Sequence, residues 1–301
     1  MMKKIGFVGC GTMGKRMALN LLKAGHKVAV YDISPEPLEE LRAAGAVVAS
    51  SIREVAGQSE VVCTSLPYPA DVEGVISGPD GIIAGGKKGT IIIDFSTIGP
   101  TLARSLSQEA VKAGMDMLYA PVSGGPDGAA AGTLTLMVGG KKDKFDECKK
   151  EVLDVVGKNI FYIAEDQGAA SLVKLCNNIL AEMQMIAMAE TVVFGVKGGL
   201  DPKIVFDVIN TIRGGDWLLE HKFPYAGVIE HCPANNDFEA QFFNDLMAKD
   251  MGIAMQAANE MKLPLLMCTL AYQMCEATSA IGLGRKDASA VTRLVQQLAG
   301  M

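Results

Sequence analysis

Ile5-Gly6-Phe7-Val8-Gly9-Cys10-Gly11-Thr12-Met13-Gly14 sets a short apolar run directly against a G-x-G-x-x-G turn, and the chain continues with Met17, Leu21 and Leu22 at helical spacing. Three glycines in that pattern are a weak signal by themselves. They become specific for a dinucleotide when they close a strand, open a helix and are followed by an acidic residue after a second strand. Asp32, at the end of Val28-Ala29-Val30-Tyr31, is that residue. Gly9 permits the tight turn, Gly11 lets the backbone approach a pyrophosphate, and Gly14 allows close packing of helix on strand. The amides and the positive end of the helix then face the phosphates, with Cys10, Thr12 and Met13 completing the turn. Cys10 is read as a small residue filling that turn.

Asp32 can accept hydrogen bonds from both ribose hydroxyls and would repel a 2′-phosphate. Ile33 and Ser34 supply no arginine to compensate. NAD is therefore expected in preference to NADP.

Outward from the turn, β-rich runs at 4–8, 27–31, 60–64, 90–94, 115–118 and 133–138 alternate with helical patterns such as 14–24, 35–44 and 101–113. Such alternation implies right-handed crossovers and a doubly wound, mostly parallel α/β sheet covered on both faces. Near residue 163 the pattern changes. Helical runs at about 168–197, 202–212, 237–261, 264–282 and 287–299 follow, with Pro202 and Pro264 marking two starts. The expected organisation is a Rossmann-type domain over 1–163 followed by an all-helical domain over 164–301, for substrate and for assembly.

Composition narrows the class. With 301 residues and 49% of them hydrophobic, the chain can build two domains, and its net charge of -6 argues against a general affinity for nucleic acid or anionic membranes. Lys174, Asn177, Asn178, Glu182 and Glu190 interrupt the longest apolar stretch, so no membrane span is expected. The start, Met1-Met2-Lys3-Lys4, leads into the first strand rather than a signal peptide, and a cytoplasmic location is expected. The 7 cysteines are scattered without a C-x-x-C pair and the 3 histidines are dispersed, which suggests reduced thiols, mostly small core residues, and no metal site.

Lys174 lies in an otherwise apolar helical run with Asn178 four residues on, so both project from one face. Hydride transfer to a carbonyl leaves an alkoxide that needs a proton, and a partly desolvated lysine can deliver it. By spacing alone, Lys174 is either such a donor or a solvated helix charge.

Five segments together resemble the β-hydroxyacid dehydrogenase family, nearest to 3-hydroxyisobutyrate dehydrogenases and related 2-hydroxymethyl-acid and semialdehyde reductases. They are the glycine turn 9–14, Asp94-Phe95-Ser96-Thr97, Ala120-Pro121-Val122-Ser123-Gly124-Gly125, Lys174-Leu175-Cys176-Asn177-Asn178 and Leu246-Met247-Ala248-Lys249-Asp250, in the family's order over almost the whole chain. The resemblance implies that Lys174 is the catalytic acid/base and that Ser123, Gly124 and Gly125 bind a substrate carboxylate as an anion nest. It also implies that Asn178, Phe242 and Asp250 contact a small carboxylate substrate, and that Leu66, Pro67, Thr97 and Lys249 line the cofactor.

Two departures stand out. The glycine pair ahead of the catalytic lysine is here Gly168-Ala169-Ala170, without the second glycine. Arg213, in Arg213-Gly214-Gly215-Asp216-Trp217, is displaced from its place in close relatives, and is either a contact for a second anionic group or a surface arginine. The implied activity is NAD-dependent interconversion of a small β-hydroxy acid and its semialdehyde. The alternatives are an NADPH-preferring glyoxylate or succinic-semialdehyde reductase and a non-catalytic dinucleotide-binding scaffold. The apolar helix bearing Met183, Met185, Ile186, Met188, Val192, Val193 and Phe194 is either an internal core helix or a face covered by another copy, and the resemblance implies a homodimer or homotetramer.

Overall fold

The computed structural model describes residues 3–212 and 214–301, so Arg213 lies outside the described residues. The chain packs as two units, one running through Lys174 and one spanning Leu175–Met301.

Nine strands among the described residues form one sheet in the first unit: β1 Lys4–Val8, β2 Lys27–Tyr31, β3 Val47–Val48, β4 Val61–Thr64, β5 Ile91–Asp94, β6 Asp116–Tyr119, β7 Val122–Ser123, β8 Leu134–Gly139 and β9 Gly157–Ala164. Their order is β3-β2-β1-β4-β5-β6-β8-β7, with β9 beside β8. Pairing is parallel from β3 through β6, β8 runs antiparallel to β6 and β7, and β9 returns parallel to β8. Both faces are covered. Ile91 and Ile93 belong to one hydrophobic cluster and Ile92, pointing the other way, to a second. A strand buried on both faces needs a continuous apolar run rather than alternation, which is why Ile91-Ile92-Ile93 and Val61-Val62-Cys63 carry no polar side chain.

The six strands expected from the sequence are all present within a residue or so. β3, β7 and β9 were not expected. The first two are only 2 residues each, and β9 begins with exposed Lys158 and Asn159, which hides its hydrophobic pattern.

The second unit is helical, with helices at Pro202–Thr211, Trp217–Lys222, Asn244–Glu260, Leu266–Thr278 and Val291–Leu298 besides its share of the long helix Gln167–Lys197. The run expected over 237–261 is corrected: its helix begins only at Asn244. Asp237 and Phe238 take left-handed backbone angles, and Phe243 forms an antiparallel bridge with Asp287. Phe238 and Phe242 imitate helical spacing, but the backbone around them is extended or turned. The run expected over 264–282 is likewise shorter, because the regular helix ends at Thr278 and Gly282 adopts φ 87°.

A second correction concerns the long helix. By length and composition alone it could cross a membrane, with an 18-residue window of mean hydropathy 1.5. Lys174, Asn178 and Glu182 do not lower that average enough, since one or two charges are tolerated in so apolar a run. A core helix has the same character, and Met185, Ile186, Met188, Ala189, Val192 and Val193 are buried in the main hydrophobic cluster of the second unit.

Candidate active site

In the first unit the glycine turn has the shape its spacing requires. Gly9 has φ 87°, and a methyl group there would lie 2.4 Å from the Ser65 carbonyl oxygen. A methyl on Gly14 would lie 1.9 Å from the Gly9 carbonyl oxygen, so only glycine lets the helix Gly14–Lys23 start so close to the turn. Around Gly11, by contrast, nothing lies within 4 Å of where a Cβ would stand. The turn thus leaves open space at the one glycine expected from its place in the motif to let a pyrophosphate approach. No side chain caps the helix start, which leaves that end to a ligand. The cradle fits a dinucleotide.

Asp32 is fixed at both oxygens: Oδ2 accepts from the Cys10 amide at 2.6 Å and Oδ1 from the Ser34 amide at 2.8 Å. Cys10 is fully buried, and burial together with the nearby Asp32 charge pushes its thiol up to about 12. It stays a thiol and fills space, as the turn needs.

Leu66 follows β4, and its side chain reaches the glycine turn: a Cβ on Gly9 would meet Leu66 Cδ2 at 2.7 Å. Thr97 follows β5 in a segment anchored at Ile98. The Ile98 amide donates to Tyr119 Oη at 3.0 Å, and the Ile98 carbonyl accepts from Ser171 Oγ at 2.6 Å. Ser171 stands three residues before Lys174, so the segment carrying Thr97 and the helix turn carrying Lys174 are tied together. Sequence reading did not single out Ser171; a hydroxyl in a helix is an ambiguous signal until its acceptor is seen.

Lys174 is 8% exposed, well away from a solvated helix charge. Ala170, where the family pattern has glycine, is fully buried, and a Cβ on Gly139 would come within 3.2 Å of its methyl. Glycine at 139 leaves the room that the alanine at 170 takes. Gly168 is retained against Arg104, whose guanidinium makes a two-pronged pair with Asp166.

Ser123 lies at the end of β7, separated from β5 in the sheet by β6 and β8. Gly124 and Gly125 follow with φ 130° and 63°, a backbone path that side chains disfavour and that can turn successive amides toward an anion.

In the second unit three of the expected residues, Asn178, Lys249 and Asp250, form one network. Asn178 Nδ2 donates to Asp250 Oδ2 at 2.6 Å, and Lys249 Nζ lies 2.9 Å from Asp250 Oδ1. Asn178 and Asp250 are buried. Lys174 and Asn178 occupy successive turns of one helix face, and Glu182 continues the row. Glu182 is fully buried and accepts from Cys275 Sγ at 3.1 Å; burial, reinforced by the Asp287 charge, raises its carboxyl to about 7.

Phe242 is half-buried and held through its backbone. Its amide and that of Gln241 each donate to Asp287 Oδ2 at 3.1 Å, where Lys222 Nζ also donates at 2.9 Å. Ser289 occupies Oδ1 through its amide and hydroxyl. Asp287, Lys222 and Glu182 were not read as site-shaping residues in the sequence, because their partners lie 45, 65 and 93 residues away. Among the described residues no group of three or more potential metal ligands is found, and all seven cysteines are free.

Two family models match the chain: the NAD binding domain of 6-phosphogluconate dehydrogenase over residues 4–164, and the NAD-binding domain of NADP-dependent 3-hydroxyisobutyrate dehydrogenase over residues 168–295. The 2-(hydroxymethyl)glutarate dehydrogenase of Eubacterium barkeri is 40% identical, with 99% of this chain and 96% of that protein covered. The NAD-dependent L-serine dehydrogenase of Pseudomonas aeruginosa is also 40% identical, over 99% of this chain and 100% of its own length. Among solved structures, the Mycobacterium tuberculosis 3-hydroxyisobutyrate dehydrogenase with L-serine has a TM-score of 0.90 at 36% identity, covering 98% of this chain and 100% of that one.

Proposed function

Since the chain belongs to the β-hydroxyacid dehydrogenase family, an NAD-using class of oxidoreductases, we propose that it interconverts a 2-substituted 3-hydroxypropionate and the matching semialdehyde, with Lys174 as acid/base. The substrates named in its relatives share a primary alcohol one carbon away from the carbon bearing the carboxylate, which defines this substrate class. The observation that carries the reading is Lys174, buried in a helix with the pinned Asn178 one turn on.

The glycine turn Gly9–Gly14, Asp32, Leu66, Pro67 and Thr97 would hold NAD, which when bound supplies or accepts the hydride. The remaining work falls to side chains of the protein. In reduction the Lys174 ammonium donates a proton to the developing alkoxide; in oxidation the neutral amine takes the hydroxyl proton. Its burial weakens competing solvation of the ammonium, and the resemblance read in the sequence implies the same task for this position. Ser123 and the amides of Gly124 and Gly125 hold the carboxylate and so set which carbon is presented. Asp250 takes one amide proton of Asn178 and fixes which way that side chain faces, while Lys249, paired with Asp250, and Phe242 border the ligands.

We assign dinucleotide binding to the domain 1–163, and substrate selection and assembly to 164–301. Ile204 and Val208 on the helix Pro202–Thr211, with Ile212 after it, form an exposed apolar row, and Phe194 is 83% exposed. A second copy of the chain covering that surface accounts for its character, giving a homo-oligomer in the cytoplasm, where free cysteines stay reduced.

The test is the initial rate of NAD⁺ and NADP⁺ reduction across 3-hydroxyisobutyrate, serine, glycerate, 2-hydroxymethylglutarate and 4-hydroxybutyrate, with the matching aldehydes and glyoxylate assayed in reverse with NADH and NADPH. NAD-selective turnover of one of the first four is expected. Turnover of 4-hydroxybutyrate alone, or NADPH-selective reduction of glyoxylate, would overturn the substrate class. NADH binding without any turnover would move the chain to the scaffold reading.

A further inference from the structure

The order β3-β2-β1-β4-β5-β6 reverses direction between β1 and β4, and in such sheets ligands bind beyond the carboxyl ends of the strands at that point. Three segments leave the sheet there in close succession: the glycine turn after β1, Ser65–Leu66 after β4 and Phe95–Thr97 after β5. A chain of contacts joins them.

At the end of β5, Asp94 is fully buried, and its Oδ1 accepts from Ser96 Oγ at 2.6 Å, from Thr64 Oγ1 at 2.7 Å and from the Ser96 amide at 3.1 Å. The hydroxyl proton of Ser96 is therefore committed to a carboxylate, and its oxygen lone pairs turn outward. One of them accepts the Leu66 amide at 2.9 Å. The backbone ladder between β4 and β5 ends with the Phe95 amide on the Thr64 carbonyl at 2.9 Å. The next amide on the β4 side is thus caught by a side chain and not by the neighbouring backbone. Leu66 in turn rests its side chain on Gly9, and the Ser65 carbonyl oxygen lies where a Gly9 side chain would be.

We infer that Ser96, oriented by Asp94, is a positioning residue for the dinucleotide: it sets the height of Leu66 and, through Leu66 and Ser65, the conformation of the Gly9 turn. The geometry is directional. The donor and acceptor capacities of the hydroxyl are assigned to different partners, so a residue lacking the hydroxyl leaves the Leu66 amide without its acceptor. A charge-assisted O–H to carboxylate bond of this length is stiff, and it transmits the position of β5 to the segment after β4. The inference rests on the reading that Leu66 lines the cofactor.

The experiment is a fluorescence titration of NADH with the full chain and with Ser96→Ala, Ser96→Thr, Ser96→Cys and Leu66→Ala, alongside the melting temperature of each. Ser96→Ala is expected to raise the NADH Kd about tenfold, the worth of one hydrogen bond. Ser96→Thr, which restores the hydroxyl, should stay within about twofold of the parent. Ser96→Cys keeps nearly the same volume and serves if the alanine variant does not fold; its Kd should rise about fivefold, since a thiol is a weak donor and acceptor. A purely structural role would lower the melting temperature of Ser96→Ala and leave the Kd of the folded protein unchanged. An unchanged Kd in Ser96→Ala and Ser96→Cys beside a raised Kd in Leu66→Ala overturns the positioning role and leaves the cofactor reading intact. Unchanged values in all three overturn both.

Discussion

In the sheet-bearing unit the chemistry-bearing groups stand at strand ends, where backbone geometry places them: Gly9, Asp32, Leu66 and Thr97 each follow a strand of the parallel core. In the helical unit the corresponding groups lie inside, within helices or, for Asp287, just ahead of a short helical turn. Asn178, Glu182, Asp250 and Asp287 are buried and are held by side chains or amides remote in sequence. The difference teaches what each half can lose. On the proposed reading the strand-end side chains of Asp32, Leu66 and Thr97 border a ligand and should tolerate substitution at the expense of binding, whereas Gly9 is held to glycine by its φ of 87° and the Ser65 carbonyl. Buried helical groups are part of the core, and removing one leaves a partner stranded in low dielectric.

The comparison is sharpest at Asp287, where one carboxylate receives Lys222, two backbone amides and both donors of Ser289. Asp287→Ala should destabilise the protein by about 3–5 kcal/mol, because a buried ammonium is left without its partner. Denaturant unfolding at neutral pH measures this; a loss below about 1 kcal/mol would place Asp287 with the tolerant strand-end groups.

Next comes Glu182. Its carboxyl is raised from 4.5 to about 7 in the folded protein, so the folded state binds the proton more tightly than the unfolded chain. The sign follows: the favourable contribution of the neutral acid is complete below the unfolded pKa near 4.5 and is lost as pH rises toward about 7. Glu182→Gln should remove that part of the pH dependence and stabilise the protein by about 3 kcal/mol at pH near 8. Parallel stability–pH profiles for the two proteins between those limits would contradict the assignment.

Gly11→Ala gives the smaller effect and the opposite split. Its Cβ meets nothing within 4 Å in the protein itself, so stability should stay within about 0.5 kcal/mol of the parent. The NADH Kd should nevertheless rise about tenfold, since the methyl enters space meant for the pyrophosphate. Equal losses of stability and affinity would show that the two units do not differ in this way.

The same contrast explains how far the sequence could be read. The glycine turn, Asp32 and six strands are legible because their determinants are local: a turn chemistry and a few consecutive β-formers. The row Lys174-Asn178 is legible for the same reason, a spacing of four on one helix. Glu182 lies on that row yet reads only as an interruption of an apolar run, since its meaning depends on Cys275 and Asp287. The run expected over 237–261 becomes helix only at Asn244, and the deciding features, the positive φ of Asp237 and Phe238 and the pairing of Phe243 with Asp287, leave no local mark in the sequence. Ser96 falls between the two cases. It belongs to a motif visible in the sequence, but its hydroxyl acquires a role only where β4 and β5 end side by side.

The central claim is that Lys174, the buried lysine at the start of the polar row, moves the proton. The direct measurement is kcat for Lys174→Ala on whichever hydroxy acid the panel selects, with NADH affinity titrated in the same preparation. A fall in kcat of about 100-fold or more with the NADH Kd within about twofold of the parent is the predicted result. Turnover near that of the parent, or a loss of turnover matched by an equal loss of NADH binding, would contradict it.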